Sequence, residues 1–444
     1  MPTEEFTLSS YSLLFMQNRQ QQIVYVTKFF LPWLMWGLGT LYFYFDFINQ
    51  VAPAALGHQL IKAFHTNAAT LGFIASCYFY SYAVLQIPVG LIVDRFGPKR
   101  PLVLAAFFAS SSCLLFSYAS SPAQAALTRM MVGAGAAFSF VSCLKLAANW
   151  FPANRFATMV GLTNVVGMIG AVSGEGPISA LAEKLGWRET LWLIAGLGLS
   201  LSVLIYLFMR DRPVAGIQQN TAVKSHVLAD LKYLLCQRDA WFSGIYAATI
   251  NTSFIAFGAL WGTLFIQSKF HTGQTEAAMI VSMLFIGAIP GSFFFGWFAD
   301  HIRRFKLPMA MGASGGLISM AVLLYMPGLP LWAAYLLIFL LGFFCCGNVL
   351  AYANNAQIGP KQSEGTSLGF TNTWLIGGSA LFQPLIGKLL QDGQATTAQT
   401  MALNFSVTDF QYALSSIVIS LMIALLMSLL IKESYPLPGK NDEY

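Results

Sequence analysis

Long apolar stretches broken by short polar interruptions run along almost the whole chain. Apolar windows set against turn signals predict twelve helical spans, at 29–53, 68–90, 101–119, 123–148, 156–182, 189–209, 240–268, 277–299, 307–327, 330–353, 366–390 and 408–431. About 20 apolar residues, rising about 1.5 Å each, cross a hydrocarbon core about 30 Å thick. The punctuation includes "SSPAQ" at 120–124, "PGLP" at 327–330 and "QDGQ" at 391–394, which are rich in turn-forming residues. The longest polar break, 210–239, divides the spans six and six. The pattern predicts an all-α polytopic membrane protein. Its parts are an N-terminal segment 1–28, a six-helix half 29–209, a linker 210–239, a second six-helix half 240–431 and a tail 432–444.

Composition agrees. The chain is 56% hydrophobic and 9% charged, with a mean hydropathy of +0.63, whereas a soluble domain carries about a quarter charged residues. Glu4 and Glu5 stand where a signal peptide would be basic, so the first apolar stretch reads as a retained span. Lys and Arg fix the orientation. Arg19, Lys28, Arg95, Lys99, Arg100, Arg155, Arg210, Arg303, Arg304, Lys306 and Lys432 share one side with both termini, against Lys62, Lys184, Arg188, Lys269 and Lys388 on the other. Both termini are therefore expected in the cytoplasm. The net charge of +6 follows from this bias and gives no reason to expect a nucleic-acid partner.

One charged stretch does more than mark topology. "GLIVDRFGPKR" at 90–100 recurs as "GWFADHIRRFK" at 296–306, pairing Gly90 with Gly296, Asp94 with Asp300 and Arg100 with Lys306. A second echo pairs "GLTN" at 161–164 with "GFTN" at 369–372. Two six-span halves with matching signatures indicate an internally duplicated transporter.

The G-x-x-x-D-R-x-G-x-K-R pattern between spans 2 and 3 resembles the main signature of the major facilitator superfamily. "RMMVGAG" at 129–135 and "NWFPANRFATMVGL" at 149–162 are similar to its span-4 motif and its span 4–5 junction. A narrower resemblance rests on "YFYFDFINQVAP" at 42–53, "YFYSYAVLQIPVGLIVDRFGPKR" at 78–100 and "GTSLGFTNTWLIGGSALFQPLIG" at 365–387. These are similar to a proteobacterial branch that includes phagosomal transporters taking up amino acids or nucleosides. Related members handle other small organic solutes, siderophores included. Many of that branch carry a basic residue where this chain has Gln50. The resemblance implies the major facilitator fold, the bacterial inner membrane, a monomer surrounded by lipid, and alternating access for a small-molecule substrate, with protons as the coupling ion.

It also implies a gate. Gly90, Asp94, Arg95, Gly97 and Arg100 would close the cytoplasmic side, with Arg95 and Arg100 binding Asp94 or a neighbouring carboxylate. Asp300, Arg303 and Arg304 would form the second-half version, in which His301 replaces the arginine. Of the acids, only Asp46 and Glu175 fall well inside predicted spans, and an intramembrane charge is a functional candidate by default. Counting from Pro53 and Pro122 places Asp46 and Arg129 at one depth, about 10 Å below the outer surface. A proton-linked Asp46–Arg129 pair is expected, and the alternative is a static one. Glu175 is a second protonatable candidate. Gly161, Gly170 and Gly174 match the first spacings of the superfamily's antiporter motif, but Glu175 replaces its proline and Ile178 and Ser179 its closing glycines, which weakens drug antiport.

The cavity lining is expected from polar residues inside the spans: Asn49 and Gln50, Asn164, Asn251, Asn348 and Tyr352, and Asn372, Trp374 and Gln383. Lys145 either snorkels to the interface or binds a carboxylate substrate. Tyr42, Tyr44, Tyr78 and Tyr80 read as packing residues or interface anchors. The cysteines lack metal-ligand spacing, the histidines are scattered, and no phosphate loop is present. No cofactor, metal or enzymatic activity is expected. The alternatives to a proton-coupled nutrient carrier are a siderophore or organic-anion transporter, a drug antiporter, and a membrane enzyme or sensor, which would need clustered catalytic groups or a sizeable soluble domain.

Overall fold

Helices begin where the sequence supplies a cap. Asn67 accepts from the Thr70 N–H, Ser121 from the Gln124 N–H with Pro122 next, and Ser406 with Asp409 forms a reciprocal capping box. Each satisfies backbone groups that a helix end leaves open. The computed structural model describes residues 30–152, 155–211, 227–359, 364–394 and 405–434. Within them lie twelve long helical segments: α1 Leu31–Phe64, α2 Ala68–Phe96, α3 Lys99–Ser117, α4 Pro122–Trp150, α5 Phe156–Leu185, α6 Trp187–Phe208, α7 Arg238–Phe270, α8 Gln274–Ile302, α9 Lys306–Tyr325, α10 Leu331–Ile358, α11 over 364–394 and α12 Val407–Leu430. Among the described residues ten are long and apolar enough to cross a membrane. The other two, α1 and α11, are diluted by Asp46, amides and tyrosines, or interrupted at Trp374–Gly378. Both still take bundle positions.

Within the first half α1 packs along α5, α2 on α4 and α3 on α6; within the second, α8 packs on α10 and α9 on α10 and α12. The halves meet along two seams, α2 with α11 and α5 with α8. A short linker helix, Val227–Cys236, sets Leu234 against Ala240 and Phe370.

The duplication reappears in how the halves are pinned. Asp211, beyond α6, accepts from the Lys99 N–H at 3.0 Å. Glu433, beyond α12, accepts from the Phe305 and Lys306 N–H groups at 2.8 and 3.2 Å. Each carboxylate sits on the positive N-terminal end of the helix three places earlier in the chain, α3 and α9 respectively, where it is favoured.

Two expected boundaries differ. α1 does not stop at residue 53 but runs on to Phe64 with Pro53 inside it, because a buried helix can satisfy the freed carbonyl through its neighbours. Asp94 and Arg95 are not in a loop; they occupy the last turn of α2. The turn itself is Gly97–Pro98, with Gly97 at φ +73°, a conformation that favours glycine.

The two ends of the bundle differ. At the end away from Asp94 the halves are pressed together. The Gln383–Pro384 backbone of α11 leaves no room for a Cβ at Gly72, the Gln274 side chain donates to the Ala55 carbonyl, and the Thr275 N–H donates to Glu183 at 3.1 Å. At the Asp94 end, a Cβ on either signature glycine, Gly90 or Gly296, would meet nothing.

Candidate functional site

The first half carries a buried polar cluster around Asp46, which is 3% exposed. Tyr78 on α2 donates its hydroxyl to Asp46, and Ser139 on α4 donates to the second carboxyl oxygen at 2.5 Å. Arg129, 2% exposed, donates to the Asn49 carbonyl at 2.8 Å and lies over the Tyr78 ring at 4.9 Å. The expected direct Asp46–Arg129 pair is not formed; Tyr78 stands between the two charges. Nε and Nη2 of Arg129 are buried without a hydrogen-bond partner among the described residues. Along the helices, Asp46 lies about 27 Å from the Phe64 end of α1, near mid-helix, and Arg129 about 10 Å from the start of α4.

Tyr78, Tyr82 and Gln86 form an i, i+4, i+8 line on α2. The Tyr78 and Tyr82 rings stack at 6.2 Å, and Gln86 Nε2 reaches the Tyr82 carbonyl at 3.5 Å. Gln86 then crosses the seam: Asn372 Nδ2 on α11 donates to its carbonyl oxygen at 2.9 Å. Tyr352 on α10 donates to Asn372 Oδ1 at 2.6 Å. This uncharged trio, partly accessible at Tyr352 and Asn372, joins three helices at the centre of the bundle. Asn372 and Tyr352 are among the residues the sequence places in the cavity lining. Sequence reasoning missed Tyr78, Ser139 and Gln86, although the period-four spacing on α2 was a usable signal. Tyr78 is no interface anchor; it is 1% exposed and serves Asp46.

In the second half, two helices carry π-helical segments, Ser253–Trp261 in α7 and Trp374–Gly378 in α11. Such segments release backbone carbonyls from the ordinary ladder. Asn251 Nδ2 satisfies the Leu375 carbonyl at 3.0 Å and reaches Ser379 at 3.2 Å. Gln383 Nε2 satisfies the Ile255 carbonyl at 2.8 Å. Each π segment thus has a carbonyl in it capped by an amide from the other helix. Gln383, expected in the cavity, is fully buried and committed to α7. Asn348 donates to Asn251 Oδ1 at 3.2 Å. Trp374 packs edge-on to Trp241 at 5.3 Å and covers Gly244, so packing occupies it. The Asn49 side chain bonds its own helix at the Phe45 carbonyl, at 2.9 Å. Gln50 and Asn164 are partly exposed and make no hydrogen bond with a described residue.

At the cluster of charged signatures Asp94 pairs with Lys145 of α4 at 2.6 Å, not with Arg95 or Arg100. Arg95 lies over the Phe96 ring at 5.4 Å, and Arg100 is exposed. Adjacent residues on a helix point to different faces, whereas Lys145 reaches across from the neighbouring helix. In the second copy, Asp300, Arg303 and Arg304 are exposed, Arg303 ends α8 in a left-handed conformation, and His301 stacks on Trp297 at 5.3 Å. Glu175 is fully buried on α5 and accepts from Thr263 of α7 at 3.3 Å.

These features coincide with comparisons to known proteins. The Major Facilitator Superfamily profile matches residues 36–384 and 246–443. The chain belongs to that superfamily and is a multi-pass membrane transporter. It is 26% identical to an Escherichia coli K12 protein named "Probable galactarate/D-glucarate transporter", over 74% of this chain and 80% of that one. It is 25% identical to the gentisate transporter of Corynebacterium glutamicum, over 80% of each. In structure it resembles a bacterial homologue of the lysosomal transporter Spinster, inward-facing and unoccupied, with a TM-score of 0.74 and 15% identity over 90% of this chain and 97% of that one.

Proposed function

We propose that the protein takes up a small polar organic solute by alternating access across the bacterial inner membrane, as a proton symporter acting as a monomer. In this reading the termini and the Asp94 end face the cytoplasm, in keeping with the Lys and Arg bias. The observation that carries it is continuity. Asp46, buried in the first half, is joined through Tyr78, Tyr82 and Gln86 to Asn372 and Tyr352 of the second. A change in protonation at Asp46 alters which groups hold Tyr78. That line ends on the amide bridge a substrate entering between the halves must displace. The two free N–H groups of Arg129 give an ionised Asp46 an alternative partner close by. Asp94 with Lys145 and the glycines at 90 and 97 form the inner gate in its open arrangement.

The side chains meeting at the centre are amides and a phenol, Arg129 is turned toward α1 and α2, and Lys145 is held by Asp94. This favours a neutral or zwitterionic nutrient, such as an amino acid or nucleoside, as in the branch the sequence resembles. A second reading, an organic anion, is favoured by the sugar-acid and gentisate relatives; Arg129 would then turn its free edge to a carboxylate, the bidentate geometry arginine suits. The test is a thermal-shift and counterflow panel of amino acids, nucleosides, sugar acids, aromatic acids and siderophores. Stabilisation by neutral or zwitterionic members supports the first reading, and stabilisation confined to acids replaces it with the second.

A further inference from the structure

Glu175 lies apart from the Asp46 cluster, where α5 meets α1, α7 and α8. Its neighbour Gly174 packs on Ile48 and Val51 of α1, and Gly176 packs on Met279 of α8. Thr263, which donates to Oε2, belongs to the opposite half. The other oxygen, Oε1, is buried with no hydrogen-bond partner among the described residues. The ionisable groups on the same stretch of the surrounding helices are Asp46, His58 and Lys62 on α1, Glu183 and Lys184 on α5, Lys269 on α7 and Glu276 on α8. None bonds to Glu175. Asp46 is held by Tyr78 and Ser139, Lys269 by the Leu323, Leu324 and Met326 carbonyls, and Glu183 by the Thr275 N–H; His58, Lys62, Lys184 and Glu276 are exposed.

An ionised carboxylate enclosed in this way, with one long hydrogen bond and no cation, is strongly disfavoured. A protonated carboxyl tolerates the same place. The enclosure exists only while the outer seam is shut, because α7 and α8 supply two of its walls. We propose that Glu175 is a proton-operated bolt: the outer side closes only after Glu175 has taken one proton from the outer solution, and ionisation of Glu175 accompanies reopening. The proposal rests on the orientation proposed above. It assigns Glu175 a condition on closure, separate from the proton carried at Asp46.

The seam can be followed without substrate. Spin labels at Lys184→Cys on α5 and Gly273→Cys before α8, both exposed, report the outer opening by electron paramagnetic resonance, in a Cys236→Ser background that removes the exposed native thiol. Between about pH 5 and about pH 9, a range within which a protein carboxyl titrates, the ratio of long to short distances should rise about tenfold or more. Glu175→Gln should hold the short distance throughout, and Asp46→Asn should still switch. Thr263→Val, which removes the one donor, should displace the midpoint and covers the case that Glu175→Gln does not fold. A distance insensitive to pH without the substitution, or a Glu175→Gln protein that still switches, overturns the bolt. So does a switch lost in Asp46→Asn and kept in Glu175→Gln. Uptake in proteoliposomes separates the two ideas. A pH-switched seam without proton-driven accumulation leaves the bolt and removes symport; accumulation with a pH-blind seam does the reverse.

Discussion

The two halves share a sequence signature and a helix plan, yet they use their polar residues differently. The first half buries ionisable groups: Asp46, Arg129 and Glu175 all lie at or below 3% exposure. The second buries uncharged ones, with Asn251 and Gln383 capping two π-helical hinges and Thr252 bonded to Ser420 at 2.7 Å. Charge that changes with protonation belongs in a framework that holds still. Bending belongs in helices whose loosened carbonyls are satisfied by amides that do not titrate. The difference suggests a half that senses and a half that bends, joined at Gln86–Asn372. The seams differ in the same spirit. Asn164, the repeat mate of Asn372, makes no such bridge.

That division can be broken by substitution. Asp46→Asn should have the largest effect, lowering pH-gradient-driven accumulation in proteoliposomes by about a hundredfold, roughly the 2.7 kcal/mol that two decades represent, while exchange of labelled for unlabelled substrate persists. Accumulation that survives would remove the sensing role from Asp46. Asp94→Asn should lower net uptake by about tenfold with membrane insertion intact, since acidic residues contribute little to topology; normal uptake would remove Asp94 from the gate. Asn251→Ala removes one of the two side-chain donors to the Leu375 carbonyl, Ser379 being the other, and the acceptor of the Asn348 amide, which costs about 1–2 kcal/mol. Melting should fall by several degrees, and the open-to-closed distance change across α7 should blur; an unaltered hinge would undo the claim that the second half bends there. Asn372→Ala should weaken substrate binding about tenfold, or about 1.4 kcal/mol, measured directly by calorimetry. Lys145→Met should be the mildest for stability, within about 1 kcal/mol, because the Lys145–Asp94 pair is substantially exposed. A larger loss of melting temperature would mean that the open gate is held more rigidly than its exposure implies.

How much of this was legible beforehand depends on the range of the interaction. Apolar runs and caps are local, so ten of the twelve spans lie within about five residues of their observed ends, and the family follows from short motifs in order. Pro53 misled the reading of α1 because a proline's effect depends on what surrounds the helix. Asp46, Arg129 and Glu175 stood out because few acids or bases lie inside apolar runs. Their partners did not. Tyr78, Ser139 and Thr263 are ordinary residues until packing brings them to a carboxylate from 32, 93 or 88 positions away.

The sequence by itself determined the class of protein: helices long enough for a membrane, a duplicated plan, an orientation bias in Lys and Arg, and a small set of buried charges that demand partners. These are consequences of hydrophobicity and local geometry, which neighbouring residues specify. Only the tertiary structure decided who pairs with whom. Lys145 rather than an arginine answers Asp94, Tyr78 separates Asp46 from Arg129, and Gln383 supports a hinge instead of lining the cavity. In a low-dielectric interior each buried polar group must find a partner. Which partner it finds is set by the crossing of whole helices, a property no single stretch of sequence contains.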